Sequence, residues 1–528
     1  MQNFRRPNRE ESGVLIGILA IIFGGFVRLY PAGIAGFPIN DGGLFVVMIE
    51  AIKSNGLKLP EYIQYNGLNT PFAYPPFAFY VGALLSNLFH LSPIEIVQWL
   101  PGIVSVGTIP AFYYLSRAIL DSSYQAGLAT LVFAFTPRTF TWTIMGGGLT
   151  RSFGLLFLLL SLGCIYRLFK GRDRKYLFAS ILFSALVVLS HPEAMVHTIV
   201  FALLFWLFIA RNKQGIINAL LLALGSIIVT SIWWLPTIIH LGLNPFLAAA
   251  QTGSQTTLSI LYPFLLTLTD EPFLTLVAVL GLIGFFACLA KKNYFIPIWY
   301  FVPYLVDPRS AATYAMIPLC MMAGLALGEI ILPIIARLAN NSKPAGQNNP
   351  LQSLLAITFL VFAGIYMLGG TLDFGIQIAG STLSEANRTA FDWIQANTRS
   401  GSRFLIMTGE GQILCDSVQE WFPALTDRVG ITTIQGNEWL PDKKYAGAVT
   451  LQTGIQSCLD GPSPLGCIEK YNLQFDYIYV NRQGSLKNLC RVIAPVSRGD
   501  DLIHALEENN QYHLSYQSDA VTIFSNLH

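Results

Sequence analysis

Apolar and polar positions divide the chain near residue 370. Residues 13–370 are mostly apolar, in long runs parted by short polar loops, while 371–528 show the mixed pattern of a water-soluble domain. A helix needs about 20 apolar residues to cross a bilayer. The pattern predicts eleven such helices, at about 13–30, 94–116, 123–140, 153–169, 176–190, 194–210, 215–234, 272–290, 294–306, 311–332 and 351–370, with the one at 294–306 short. The first run is too long for a cleaved signal peptide and lacks a small-residue cleavage pattern, so it reads as a permanent span.

A further apolar stretch, Tyr74–Leu91, is decided by charge. Lys and Arg in short loops collect on the cytoplasmic side. If the stretch does not cross, one side carries 15 of them, including the dense cluster Arg167–Lys175, and the other carries six: Arg28, Lys53, Lys58, Arg138, Arg151 and Arg309. If it crosses, that cluster falls outside. Tyr74–Leu91 is therefore expected to be a juxtamembrane or re-entrant helix on the outer side. The expected fold is a polytopic α-helical membrane protein of about 11 spans plus outer juxtamembrane helices, with a small C-terminal α/β extracytoplasmic domain. Its expected modules are 1–370, with a long first outer loop at 31–93, and 371–528. The reading places a multi-pass protein in the plasma (inner) membrane, with its N-terminus cytoplasmic.

Composition agrees. Apolar residues make up 53% of the chain and charged residues 12%, against roughly a quarter charged in soluble domains. That excludes a soluble globular enzyme, a disordered chain and a fibrous protein. A net charge of +2 gives no reason to expect nucleic acid as a partner. Of seven cysteines, Cys164, Cys288 and Cys320 fall in spans, and Cys415, Cys458, Cys467 and Cys490 in the polar domain. An even count confined to one domain fits an oxidising compartment. Cys458 and Cys467 flank a turn-rich segment and can close a short loop, which leaves Cys415 with Cys490; four buried thiols are the alternative.

Within the polar domain, Asn387–Thr398 reads as an amphipathic helix, Arg403–Thr408 and Phe475–Asn481 as strands, and Asp501–Glu508 as a helix. Tyr512–Ser518 and Ala520–Ser525 read as a terminal strand pair. The segment Gln419–Arg428 mixes aromatic and charged residues. It reads either as an acceptor-binding edge or as a packed structural loop. Asn387-Arg388-Thr389 is a glycosylation sequon.

Ionisable residues at membrane depth are costly and mark functional sites, and here they recur on the outer side. Asp41 follows the first span and precedes Gly42 and Gly43. It suits a general base, and equally an N-cap for the apolar stretch 44–52. Arg151 and Arg309 suit phosphate binding or snorkelling to the interface. His191 and Glu193 stand at a span end, Trp233 and Trp234 at another, and Asp307 beside Arg309. Glu193 is a candidate for acid–base or metal work. A weak Glu193/His197 metal pair is conceivable, and HExxH is absent.

An N-terminal span, a long first loop opening with an acid, Tyr74-Pro75-Pro76 at a helix start, many spans and a C-terminal outer domain together resemble the GT-C membrane glycosyltransferases. These include protein O-mannosyltransferases, the lipid A aminoarabinose transferase and oligosaccharyltransferase catalytic subunits. The resemblance implies a polyprenyl-phosphate sugar donor, a lipid, glycan or protein acceptor, and one inverting displacement at the outer face. Asp41 would be the catalytic residue. Arg309, Arg151, His191, Tyr74 and Asp307 would bind substrate or the lipid phosphate. Oligosaccharyltransferases carry an acidic pair in the second outer loop and a Trp-Trp-Asp-Tyr-Gly signature; here loop 141–152 holds no acid and the signature is absent. No cofactor is therefore implied, and a divalent metal stays open. The rival readings are a transporter or lipid flippase, which calls for an internal repeat not evident here, and a non-catalytic envelope scaffold.

Overall fold

The computed structural model describes residues 7–171, 173–252, 276–339, 349–410, 412–442, 444–482 and 499–527. Each of the eleven expected spans holds a helix among the described residues. They are α1 (Arg9–Ala35), α4 (Pro93–Leu120), α5 (Ser123–Phe135), α7 (Gly148–Phe169), α8 (Lys175–Val188), α9 (Pro192–Ile209), α10 (Lys213–Leu241), α12 (Leu276–Ala290), α13 (Phe295–Val306), α14–α15 (Ala311–Ala326 and Leu332–Ala339, joined by a π turn) and α16 (Leu354–Ala379). Among the described residues, seven of these helices are long and apolar enough to cross a membrane unaided; α5, α8, α12 and α13 are shorter. The fold is that of a multi-pass membrane protein. Helix α16 runs to Ala379, beyond the boundary expected at 370.

Local chemistry sets the helix starts. Asn8 with Glu11, and Ser92 with Glu95, form capping boxes at α1 and α4. Ser122 and Asn212 cap α5 and α10. Two short helices, α6 (Thr141–Ile144) and α11 (Asn244–Ala250), follow α5 and α10. The stretch expected to lie beside the membrane holds α3 (Phe77–Phe89), of 13 residues. At 1.5 Å per residue it reaches about 20 Å, short of a hydrocarbon core about 30 Å thick.

Glycine lets the helices touch. A Cβ on Gly13 would overlap the Ser123 backbone, and one on Gly127 would overlap the Gly13 carbonyl, so α1 and α5 meet backbone to backbone. Arg28 differs from its expected place in an outer loop: it is fully buried inside α1. The guanidinium donates to the Ser105 carbonyl, to Thr108 Oγ1 and, at 3.3 Å, to Thr139 Oγ1. It also lies 5.3 and 5.2 Å from the ring centroids of Phe133 and Phe140. A buried cation survives there because protein dipoles replace its water.

Contacts sort the helix ends into two groups. At one end Glu10 accepts from the Ser123 amide at 2.8 Å and lies 3.8 Å from Arg117. Lys291 pairs with Glu329, which also accepts from Gln125, and Asn349 donates to Ser12. The C-terminal domain covers the other end.

That domain contains α17 (Glu385–Asn397), β3 (Arg403–Met407), α18 (Ser417–Thr426), β4 (Val429–Gly430), α19 (Lys444–Ser457), α20 (Pro464–Glu469), β5 (Tyr477–Asn481), α21 (Asp500–Glu507), β6 (Tyr512–Gln517) and β7 (Val521–Asn526). The sheet order is β4-β3-β5-β7-β6; β3 is parallel to β4 and β5, and β7 is antiparallel to β5 and β6. Side chains alternate across it. Phe404, Ile406 and Tyr479 face α17 and α18, while Leu405, Met407, Ile478 and Val480 face α19, α20 and α21. Cys458 and Cys467 form a disulfide. Cys415 is disulfide-bonded too, and Cys490, its expected partner, lies outside the described residues. The sequon Asn387 is buried, donating to Ser384 and accepting from Tyr479, so the folded domain withholds it from glycosylation.

The first loop is ordered against this domain. It carries α2 (Gly43–Ser54) and a hairpin of β1 (Tyr62–Tyr65) and β2 (Leu68–Pro71). Asn66 exchanges two hydrogen bonds, of 3.0 and 2.8 Å, with the Gly430 backbone.

Gly127→Ala is expected to lower stability by about 1–3 kcal/mol, the usual cost of overpacking, read as a lower Tm in detergent. Gly364→Ala, where an added Cβ meets nothing within 4 Å, is expected not to lower it.

Candidate active site

Between the helix ends and the C-terminal domain lies a cavity of about 820 Å³. Asp41, Tyr74, Arg151, His191, Glu193, Asp307 and Arg309 all line it, with Trp142, Trp233 and Trp234. Five segments far apart in the chain supply the seven ionisable or hydroxylated groups. His197 is buried and stacked on Tyr314 with centroids 3.9 Å apart. Its Nδ1 lies 2.9 Å from the Glu193 carbonyl, which replaces the metal pair considered above.

Asp41 does not cap its own helix. The N-cap of α2 is Gly42, with no side-chain hydrogen bond. Instead Asp41 Oδ1 accepts from the Gly147 amide at 2.8 Å, at the start of α7, whose positive dipole end faces the carboxylate. Any Cβ on Gly146 or Gly147 would overlap Asp41, so this approach requires glycine. Asp41 Oδ2 lies 4.0 Å from Arg151 Nη1, and the carboxylate remains partly open to the cavity. Asn40, before it, is left-handed at φ +60°, and after it Gly42 takes φ +127°, which glycine adopts without steric cost.

Arg151 stands one turn into α7, its guanidinium 5.8 Å from the Trp142 ring centroid. Its Nη1 is buried without a hydrogen-bond partner among the described residues. His191 precedes α9 in extended conformation and is 4% exposed. Gly154 makes room for it, since a Cβ there would meet His191 Cβ at 2.7 Å. Burial, then the Arg151 and Arg309 cations, hold the His191 imidazole well below its usual range. Its Nδ1 also lacks a partner among the described residues. Arg309 Nε lies 3.7 Å from Glu193 Oε1, Asp307 accepts from Ser310, and Tyr74 shares a 3.2 Å hydrogen bond with Thr150. The helix-bundle wall thus sets Arg151 and Arg309 among the acids Asp41, Glu193 and Asp307.

The facing wall belongs to the C-terminal domain. It presents Asp416, Glu420, Gln435, Glu438, Trp439 and Tyr445. Glu420 alone carried a signal, inside the aromatic and charged segment noted above, which is the buried helix α18. Glu438 and Trp439 gave none, because an acid beside a Trp is ordinary in a polar domain. Burial pushes the Glu420 carboxyl up to about 8, with Asp41 adding to the effect, and raises Glu438 and Asp416 each to about 7.

Among the described residues, no three His, Cys, Asp or Glu side chains converge as a metal site. The oxygens of Asp41 face an amide and a guanidinium, and Glu193 faces Arg309. The site does not fit a divalent metal held by Asp41 and Glu193.

A family model of membrane proteins, described as a 6-pyruvoyl-tetrahydropterin synthase related domain, matches residues 73–366. No curated protein matches the chain. Three solved structures are similar. Arabinofuranosyltransferase AftD from Mycobacteria has a TM-score of 0.54 at 14% identity, covering 99% of this chain and 41% of its own. The oligosaccharyltransferase of Archaeoglobus fulgidus, solved with Zn and sulfate, has 0.54 at 14%, covering 97% and 73%. ArnT from Cupriavidus metallidurans, bound to undecaprenyl phosphate, has 0.50 at 12%, covering 98% of both chains. The chain therefore spans less than half the length of AftD and nearly all of ArnT. At these identities the likeness is one of fold: the chain shares the fold of these three structures.

The three acids of the C-terminal wall make stability depend on pH. Their proton affinity is higher folded than unfolded, so their contribution is full below about pH 4 and is lost as pH rises through 7 to 8. Tm is expected to fall between pH 5 and 9, and Glu438→Gln to flatten that fall in a differential scanning measurement.

Proposed function

The chain belongs to the 6-pyruvoyl-tetrahydropterin synthase related family of membrane proteins, and we propose that it is a GT-C glycosyltransferase. It moves a sugar from a polyprenyl-phosphate donor to a lipid, glycan or protein acceptor. The observation that carries this reading is the convergence of Asp41, Arg151, His191 and Arg309 on one cavity at the helix ends. Its fold neighbours include arabinofuranosyltransferase AftD and an ArnT bound to undecaprenyl phosphate.

The chemistry follows from the two walls. Asp41 takes the proton of an acceptor hydroxyl or amine as the acceptor atom bonds to the anomeric carbon. The bond from that carbon to the phosphate oxygen breaks, and the lipid phosphate leaves with the electron pair. One displacement inverts the anomeric centre. Arg309 and Arg151 neutralise the departing phosphate, and the neutral His191 imidazole adds a hydrogen bond. Fixed cations in a partly dry cavity stabilise developing charge more strongly than water does. Tyr74 and Asp307 position these groups through Thr150 and the Ser310 turn.

The same reading orients the protein. The Cys458–Cys467 disulfide supports an oxidising compartment on the cavity side. The opposite helix ends carry Arg9, Arg117, Lys170, Lys175 and Lys291, which supports a cytoplasmic location for them. The active site and C-terminal domain are then extracytoplasmic, in the plasma (inner) membrane.

The test is turnover by the reconstituted full chain, using radiolabelled polyprenyl-phosphate sugars and a host envelope extract, with and without chelator. Label is expected to reach an extract component and to survive chelation. Asp41→Asn is expected to cut transfer by about 100-fold or more, the scale of a lost general base, with expression intact. Unchanged turnover would remove Asp41 from the mechanism. Arg309→Ala is expected chiefly to raise the donor KM.

A further inference from the structure

The Asp41 loop is gripped by the C-terminal domain as well as by α7. Gly42 N–H donates to Glu420 Oε1 at 3.2 Å. Trp421 Nε1 donates to the Asn40 carbonyl at 2.9 Å, and Asn40 Nδ2 to the Leu414 carbonyl at 3.0 Å. Tyr65 of the hairpin donates to the Glu420 carbonyl at 3.0 Å. A Cβ on Gly43 would lie 2.6 Å from that same carbonyl oxygen, so α2 and α18 are in backbone contact. Residues on both sides of Asp41 are thus tied to one turn of α18. Asn40 is left-handed at φ +60°, an angle that a non-glycine residue holds where its surroundings fix it.

We propose that Glu420 is a positioning residue that holds the Asp41 loop at the cavity. This rests on reading Asp41 as the base. The side chain is buried and lines the cavity beside Asp41, yet its hydrogen bond goes to the loop backbone. It therefore acts on the reaction through Asp41.

Protonation sharpens the role. The titratable groups that act on Glu420 are Asp41 of the loop, Tyr65 of the hairpin, and Glu438 and Tyr445 of its own domain. The cavity cations lie elsewhere, Arg151 beside Asp41 and Arg309 beside Glu193. With no cation paired to it among the described residues, the carboxyl retains its proton up to about pH 8. In that form it accepts from Gly42 without setting a second negative charge beside Asp41. Above that pH the two carboxylates repel, and the grip weakens.

Two measurements on the reconstituted full chain test this. The first is hydrogen exchange of the peptide 37–48, corrected for intrinsic rates. Wild type is expected to protect it at pH 7 and to lose protection by about tenfold at pH 9. Glu420→Gln, which retains the acceptor without the charge, is expected to protect it at both. Glu420→Ala is expected to protect it at neither. The second is the pH profile of transfer. Glu420→Ala is expected to lower kcat by about 10- to 100-fold, as misplaced catalytic groups do, with donor KM within twofold. Glu420→Gln is expected to restore kcat at pH 7 and to abolish the decline above pH 8. Unchanged protection and kcat in Glu420→Ala would overturn the proposal. So would a Glu420→Gln that is folded but as impaired as Glu420→Ala. Should no donor be turned over by wild type, the transferase reading fails, and the exchange data still decide whether Glu420 holds the loop.

Discussion

The approach of Asp41 to the amino end of α7 is the contact on which the site depends. It brings a carboxylate within 2.8 Å of the Gly147 amide and sets Arg151, one turn further on, beside it. Glycines at 146 and 147 leave the volume that the loop occupies. The same loop is held from above by Trp421 and Glu420. The membrane helices, the first loop and the C-terminal domain therefore meet at one point, and none of the three forms the site alone.

Charge is placed by the same logic throughout. Arg28 sits in the bundle because Ser105, Thr108, Thr139 and two aromatic faces replace its hydration. Arg151 and His191 line the cavity and retain buried polar atoms without hydrogen-bond partners among the described residues. Opposite them, Asp416, Glu420 and Glu438 are buried acids with raised proton affinity.

Hydropathy runs located the helices well because length and apolar content are local properties. The ends were less legible. The segments at 123–140 and 176–190 yield helices of 13 and 14 residues, and α16 passes the expected boundary, since packing and not hydropathy decides where a helix stops. In the polar domain, short apolar and aromatic runs bounded by turn residues located β3, β5, β6 and β7. The two-residue strand β4 and the β1–β2 hairpin passed unnoticed, being short and fixed by partners such as Asn66 and Gly430.

The sequence by itself determined the class of the molecule, the side on which its ionisable residues gather, and seven residues that line the cavity. It could do so because membrane depth penalises charge strongly enough to be read one segment at a time. The tertiary structure alone decided what each residue faces. Asp41 reads locally as a cap for α2, and only folding sets it at the foot of α7, 106 residues away. Glu420 meets Gly42 across 378 residues. Such contacts depend on where glycine permits two backbones to approach, and that spacing is a property of the packed chain, not of any window along it.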